Sequence, residues 1–143
     1  MIIEPWLLWA ILSATFAALM TILAKVGLKD IDPDFAQLIR TAVVLPSLAV
    51  LVLMTGKWQA VGNWNSRTWL FLTLSGLATA ASWICYFRAL DIGQASRVAA
   101  VDKLSVVIVA LLAAATLHER LGAVSWCGIL LVAAGLAILA IAK

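Results

Sequence analysis

Residues 98–117 read VAAVDKLSVVIVALLAAATL. Twenty residues is the length a helix needs to cross the hydrocarbon core of a bilayer, yet this run carries two opposite charges, Asp102 and Lys103. At a helix centre an Asp or Lys costs about 2.5–3.5 kcal/mol to insert, and each Leu, Ile or Val returns about 0.3–0.6. The ten such apolar residues here return roughly 3–6 kcal/mol, so the segment is close to break-even on its own. It is stable in a membrane only if its charges face protein or water.

The remainder of the chain has the same character. Of 143 residues, 65% are hydrophobic and 12% charged, with a mean hydropathy of +1.10. Soluble domains are nearer half apolar and a quarter charged. Cutting at polar clusters leaves five apolar segments: 6–24, 35–54, 69–87, 98–117 and 123–142. Each is about twenty residues long, enough to span. The fold class expected is therefore all-α integral membrane, with five transmembrane helices in the lipid bilayer and one domain over residues 1–143. The first segment lacks a basic leader and outruns a signal-peptide core, so it reads as a mature helix.

The connections carry breakers and caps. Pro5 opens the first helix, Asp32-Pro33-Asp34 caps the second, Asn63, Asn65 and Ser66 precede the third, and Gly93 precedes the fourth. Pro46 inside the second helix frees a carbonyl one turn back, giving either a kink absorbed by packing or a hinge.

An odd number of spans puts the two ends of the chain on opposite faces. Lys57, Arg67 and Arg120 belong to the N-terminal face, side A; Lys25, Lys29, Arg88, Arg97 and Lys143 belong to side B. That bias is too small to orient the chain by the positive-inside rule. Tryptophan is uneven: Trp6, Trp9, Trp58, Trp64, Trp69 and Trp126 gather toward side A, and Trp83 lies deeper. Aromatic belts ordinarily mark both interfaces, so a one-ended belt suits a chain that inserts both ways and pairs as an antiparallel homodimer. The plainer alternative is one orientation, anchored on side B by Tyr86 and the basic side chains.

Ionisable groups within the spans are the candidate site. Neighbouring residues on a helix diverge by about 100°, so Asp102 and Lys103 are not expected to neutralise each other. Arg40, at similar depth, is the expected partner of Asp102, leaving Lys103 to a cavity. Ser75, Thr79, Ser82 and Tyr86 fall on one helical face; Thr21 and Lys25 share another with Ala14 and Ala18; Gln37, Arg40, Thr41 and Ser47 form a broader stripe. Small and hydroxyl residues also serve plain helix packing, and the charges could be a structural network. Read functionally, Lys25, Arg40, Tyr86, Asp102, Lys103, Thr21 and Ser82 line a crevice open to side B. Cations outnumber Asp102, which favours a small-molecule substrate bearing a carboxylate or phosphate.

Several classes of function find no support in the sequence. The net charge of +3 is scattered, with no basic patch for nucleic acid. Cys85 and Cys127 sit in apolar segments and read as small buried packing residues. His118 stands beside Glu119 and Arg120 as a solvated turn. No ligand spacing suggests a metal site, no Gly-rich loop suggests nucleotide binding, and no nucleophile constellation suggests an enzyme. No cofactor is expected.

The stretch YFRALDIGQASRVAAVDKLSVVIVALLAAATLHERLGAVSWCGILLVAAGLAIL resembles the EamA domain of the drug/metabolite transporter superfamily. The similarity lies in Phe87, Ala89 and Leu90, in LHERL at 117–121 (the family has Leu-Gly-Glu-Arg-Leu), in Gly128 and Gly135, and in Arg40 early in the second helix. The resemblance implies one five-helix half of an inverted-repeat, ten-helix fold, completed here by a second copy, in a prokaryotic cytoplasmic (inner) membrane. It implies secondary transport or export by alternating access, with the site at the interface between repeats. The smaller multidrug-resistance relatives carry a glutamate in their first helix. Residues 10–14 here are Ala-Ile-Leu-Ser-Ala, which counts against proton-coupled drug-cation export. Where many EamA domains have a proline in the fourth helix, this chain has Asp102-Lys103. A non-transporting scaffold or lipid-handling subunit is the alternative from another class.

Overall fold

The structure is a computed structural model that describes residues 4–59 and 64–141. Asn63, one of the expected loop breakers, lies outside the described residues. Every regular element among those described is helical: α1 (Pro5–Gly27), α2 (Pro33–Met54), α3 (Ser66–Ile92), α4 (Ala95–Asp102), α5 (Leu104–Thr116) and α6 (Ala123–Ile141). Taken together, α4 and α5 form one run, Ala95–Thr116, and five runs are long and apolar enough to cross a membrane. The protein is an all-helical integral membrane protein.

Local chemistry sets the helix ends. The Asp32 carboxylate accepts from the backbone N–H groups of Asp34 (2.9 Å) and Phe35 (3.2 Å), and Pro33 occupies the first turn, where no N–H is needed. Asn65 accepts from the N–H of Arg67 and opens α3. The helix α2 continues through Pro46, and the Ser47 hydroxyl donates to the Val43 carbonyl at 2.7 Å. The helices outrun the expected segments by up to five residues at an end. α3 begins at Ser66 and ends at Ile92, because its polar end residues continue the hydrogen-bond ladder beyond the apolar stretch.

The chain forms two compact units. One takes the chain up to Leu23 and from Ile92 onward; in it α6 packs along both α4 and α5. The other is Ala24–Asp91. Few side chains are buried: Leu28, Phe87, Leu90 and Leu136 are the buried apolar residues described, and Thr21 and Gln37 the buried polar ones. Most Leu, Ile, Val and Trp residues are exposed, as expected where acyl chains stand in for a protein core. The expectation that Cys85 and Cys127 are buried is corrected: both are free thiols on the exposed surface. A thiol behaves as a small apolar group, and a lipid-facing position suits it as well as a packed one.

Candidate functional site

In the first unit, the fourth span is broken at the charged pair. Lys103 belongs to neither helix, closing α4 and opening α5 with φ −71° and ψ −4°. Its N–H donates to the Ala100 carbonyl at 2.9 Å, and its own carbonyl accepts from Val106 at 3.0 Å. Both bonds reach three residues instead of four, a local 3₁₀-type tightening of the helix.

The Lys103 ammonium lies 3.3 Å from an Asp102 carboxylate oxygen. This corrects the expectation that adjacent charges could not meet. The angle between neighbours applies to the first bond of each side chain, whereas the four-carbon lysine stem swings its charge back over the preceding residue. The pair is accessible, with side-chain exposures of 54% for Lys103 and 36% for Asp102. Thr21, also in this unit, is buried and donates to the Ala17 carbonyl at 2.9 Å.

In the second unit, Arg40 lies over an aromatic platform. Its guanidinium carbon is 4.2 Å from the centre of the Trp83 ring and 5.6 Å from that of Phe87. Such stacking attracts the cation to the ring face. One terminal nitrogen donates to the Gln37 side-chain carbonyl at 3.3 Å. Gln37 is buried and donates in turn to the Thr41 hydroxyl, which returns a bond to the Gln37 backbone carbonyl. The platform is α3's, from two aromatics four residues apart on one face; the cation and its support come from one turn of α2.

Lys25 is engaged differently from a solute-lining residue. Its ammonium donates to the Leu90 carbonyl at 2.6 Å and the Asp91 carbonyl at 3.0 Å, capping the C-terminal end of α3, where helix carbonyls lack partners. Nearby, Arg88 forms a two-pronged ion pair with Asp34, Nε to Oδ1 at 2.9 Å and Nη2 to Oδ2 at 2.6 Å. These contacts join the side B ends of α1, α2 and α3. Tyr86 is half-buried with its ring edge-on to Phe87, and Ser82 is exposed. Thr79 donates to the Ser75 carbonyl of its own helix. Many of the hydroxyls are bound in this way, the packing role that the sequence left open.

Sequence reasoning placed Gln37 in a polar stripe and noted that Trp83 lay deeper than the belt, without joining either to Arg40. The available signal was the i, i+4 spacing of Trp83 and Phe87 against the i, i+3 spacing of Gln37 and Arg40. The Asp34–Arg88 clasp was not anticipated, since both had been read as span ends.

Residues 4–141 match the EamA-like transporter family. A Sinorhizobium protein described as "Uncharacterized transporter in cobO 3'region" is 52% identical over 138 residues, which cover 96% of this chain and 98% of that protein. No solved structure matches.

Proposed function

The chain belongs to the EamA-like transporter family, and from that premise we propose that it moves a small polar, anionic or zwitterionic metabolite by alternating access as an antiparallel homodimer. That it is a membrane transporter, not an enzyme, rests on the family and on the description of its relative. The solute class, the mechanism, the pairing and a cytoplasmic-membrane location are our reading.

The observation that carries it is the broken fourth span. Eight residues of α4 place Asp102 and Lys103 about 12 Å along the span from its start, at about 1.5 Å per residue. A helix interrupted inside the membrane is tolerated where it lines a cavity, and discontinuous helices hold solute and coupling-ion sites in many transporters. The pair is accessible enough to trade its internal contact for a solute. Cation export would instead need a free carboxylate, and Asp102 is held by Lys103.

Residues 1–143 then act as one domain, the five-span half of a transporter, with Thr21, Asp102 and Lys103 in one unit and Arg40, Tyr86 and Ser82 in the other each serving solute binding, and Lys25 capping α3. Inverted repeats form their site at their interface, and a second copy inserted the other way supplies the missing repeat. The relative, matched over nearly its whole length, has the same half-size.

Counterflow of labelled metabolites in proteoliposomes of the purified chain tests this reading. Saturable uptake that falls at least tenfold in Lys103→Ala supports it. No movement of any solute, or flux indifferent to Lys103→Ala, overturns it.

A further inference from the structure

We propose that Arg40, over Trp83 and steadied by Gln37, is a carboxylate-binding subsite that takes its counter-charge from the solute; this rests on the transport reading above.

Charge pairing supports the assignment. Within the spans, Lys103 is paired with Asp102, Arg88 at the end of α3 with Asp34, and Lys25 is engaged by two carbonyls. Arg40 has no carboxylate or backbone-carbonyl partner among the described residues, a lack shared by Arg67 and Arg97 in the first turns of their helices but met here about two turns into α2: its partners are the Gln37 side-chain carbonyl and two aromatic rings. A guanidinium has five N–H donors, and among the described residues one is used here. A cation in a membrane span with donors to spare is costly until an anion meets it.

Geometry selects the class. The guanidinium sits over the Trp83 ring, and Gln37 holds one terminal nitrogen, so Nε and the other terminal nitrogen remain as a fork. That fork matches the two oxygens of a carboxylate. A phosphate brings up to two charges and calls for a second cation, and Lys25 and Arg88, cations of the same unit, are already engaged. Gln37 is 7% exposed and Phe87 2% exposed, so the support beneath the fork is rigid and largely dry. The subsite therefore suits a singly charged carboxylate.

The test uses the full chain in detergent, titrated with sodium acetate against sodium chloride, inorganic phosphate and acetamide at matched ionic strength, with melting temperature as readout. Acetate should raise the melting temperature saturably, and phosphate and acetamide should not. Arg40→Lys, which keeps the charge and loses the fork, should need roughly tenfold or more acetate, in line with the loss of a charge-assisted bond. Arg40→Gln should abolish the shift, while Arg67→Gln at the other end of the spans retains it.

An equal shift from phosphate or acetamide, or an acetate shift that survives Arg40→Gln, overturns the subsite. Counterflow separates this outcome from the parent reading. Flux that is intact in Arg40→Gln refutes the subsite and leaves transport standing. An Arg40-dependent acetate shift in a chain that moves no solute leaves the subsite standing and refutes transport.

Discussion

Asp102 and Lys103, adjacent in the chain, meet as an ion pair at 3.3 Å where the helix of the fourth span stops and restarts. The two charges and the break occur together: the span that pays to hold charge is also the one that gives up helical regularity. Replacing both residues by Leu should close the break into one helix. Insertion of the isolated span should then improve by several kcal/mol, since each charge costs about 2.5–3.5 kcal/mol at a helix centre. A membrane-insertion assay on the isolated segment reads this directly, and transport by the full-length double variant should be lost. Unchanged insertion would mean that the pair is not borne by the membrane.

Lys25 should behave as a cap. Its bonds to the Leu90 and Asp91 carbonyls satisfy the end of α3 beside the fully buried Leu90. Lys25→Met should lower unfolding stability by about 1.5–3 kcal/mol, the worth of a hydrogen bond to a charged group. Lys25→Arg should restore part of it. Melting in detergent separates this cap from a solute ligand, because a ligand's loss would spare the unliganded protein.

The Asp34–Arg88 clasp joins the start of α2 to the end of α3 with two parallel bonds. Asp34→Asn and Arg88→Gln should each lower the melting temperature. The double variant should be no worse than either single one, and the exchange Asp34→Arg with Arg88→Asp should recover part of the loss. Strict additivity in this cycle would show that the contact carries no coupling.

His118 has a left-handed backbone, φ 54°, just after α5. The family resemblance places a glycine at this position of the Leu117–Leu121 motif, and a side chain there costs about 1–2 kcal/mol that glycine avoids. His118→Gly should therefore raise stability by up to about 1 kcal/mol after glycine's own entropy cost. Thermal unfolding is the check, and a drop in stability would contradict it.

Most of the fold was legible in the sequence because the bilayer imposes it. An apolar run of membrane length has to be a helix, and Asp32-Pro33 and Gly93 mark ends by chemistry that acts within a few residues. The break at Lys103 was not legible: the run 98–117 is uninterrupted in hydropathy, and the tightening shows only in which carbonyl each N–H chooses. The site was half legible. Charge within apolar spans singled out Arg40, Asp102 and Lys103, but partners depend on side-chain reach and on which helices adjoin. Hence the sequence did not show that the Lys25 ammonium closes the end of α3, or that Trp83 lies under Arg40.

The account depends most on a second copy inserted upside down. Epitope tags appended after Lys143 and probed in intact and opened cells test this directly. The account predicts tags in comparable amounts on both faces of the membrane. Tags confined to a single face would contradict it.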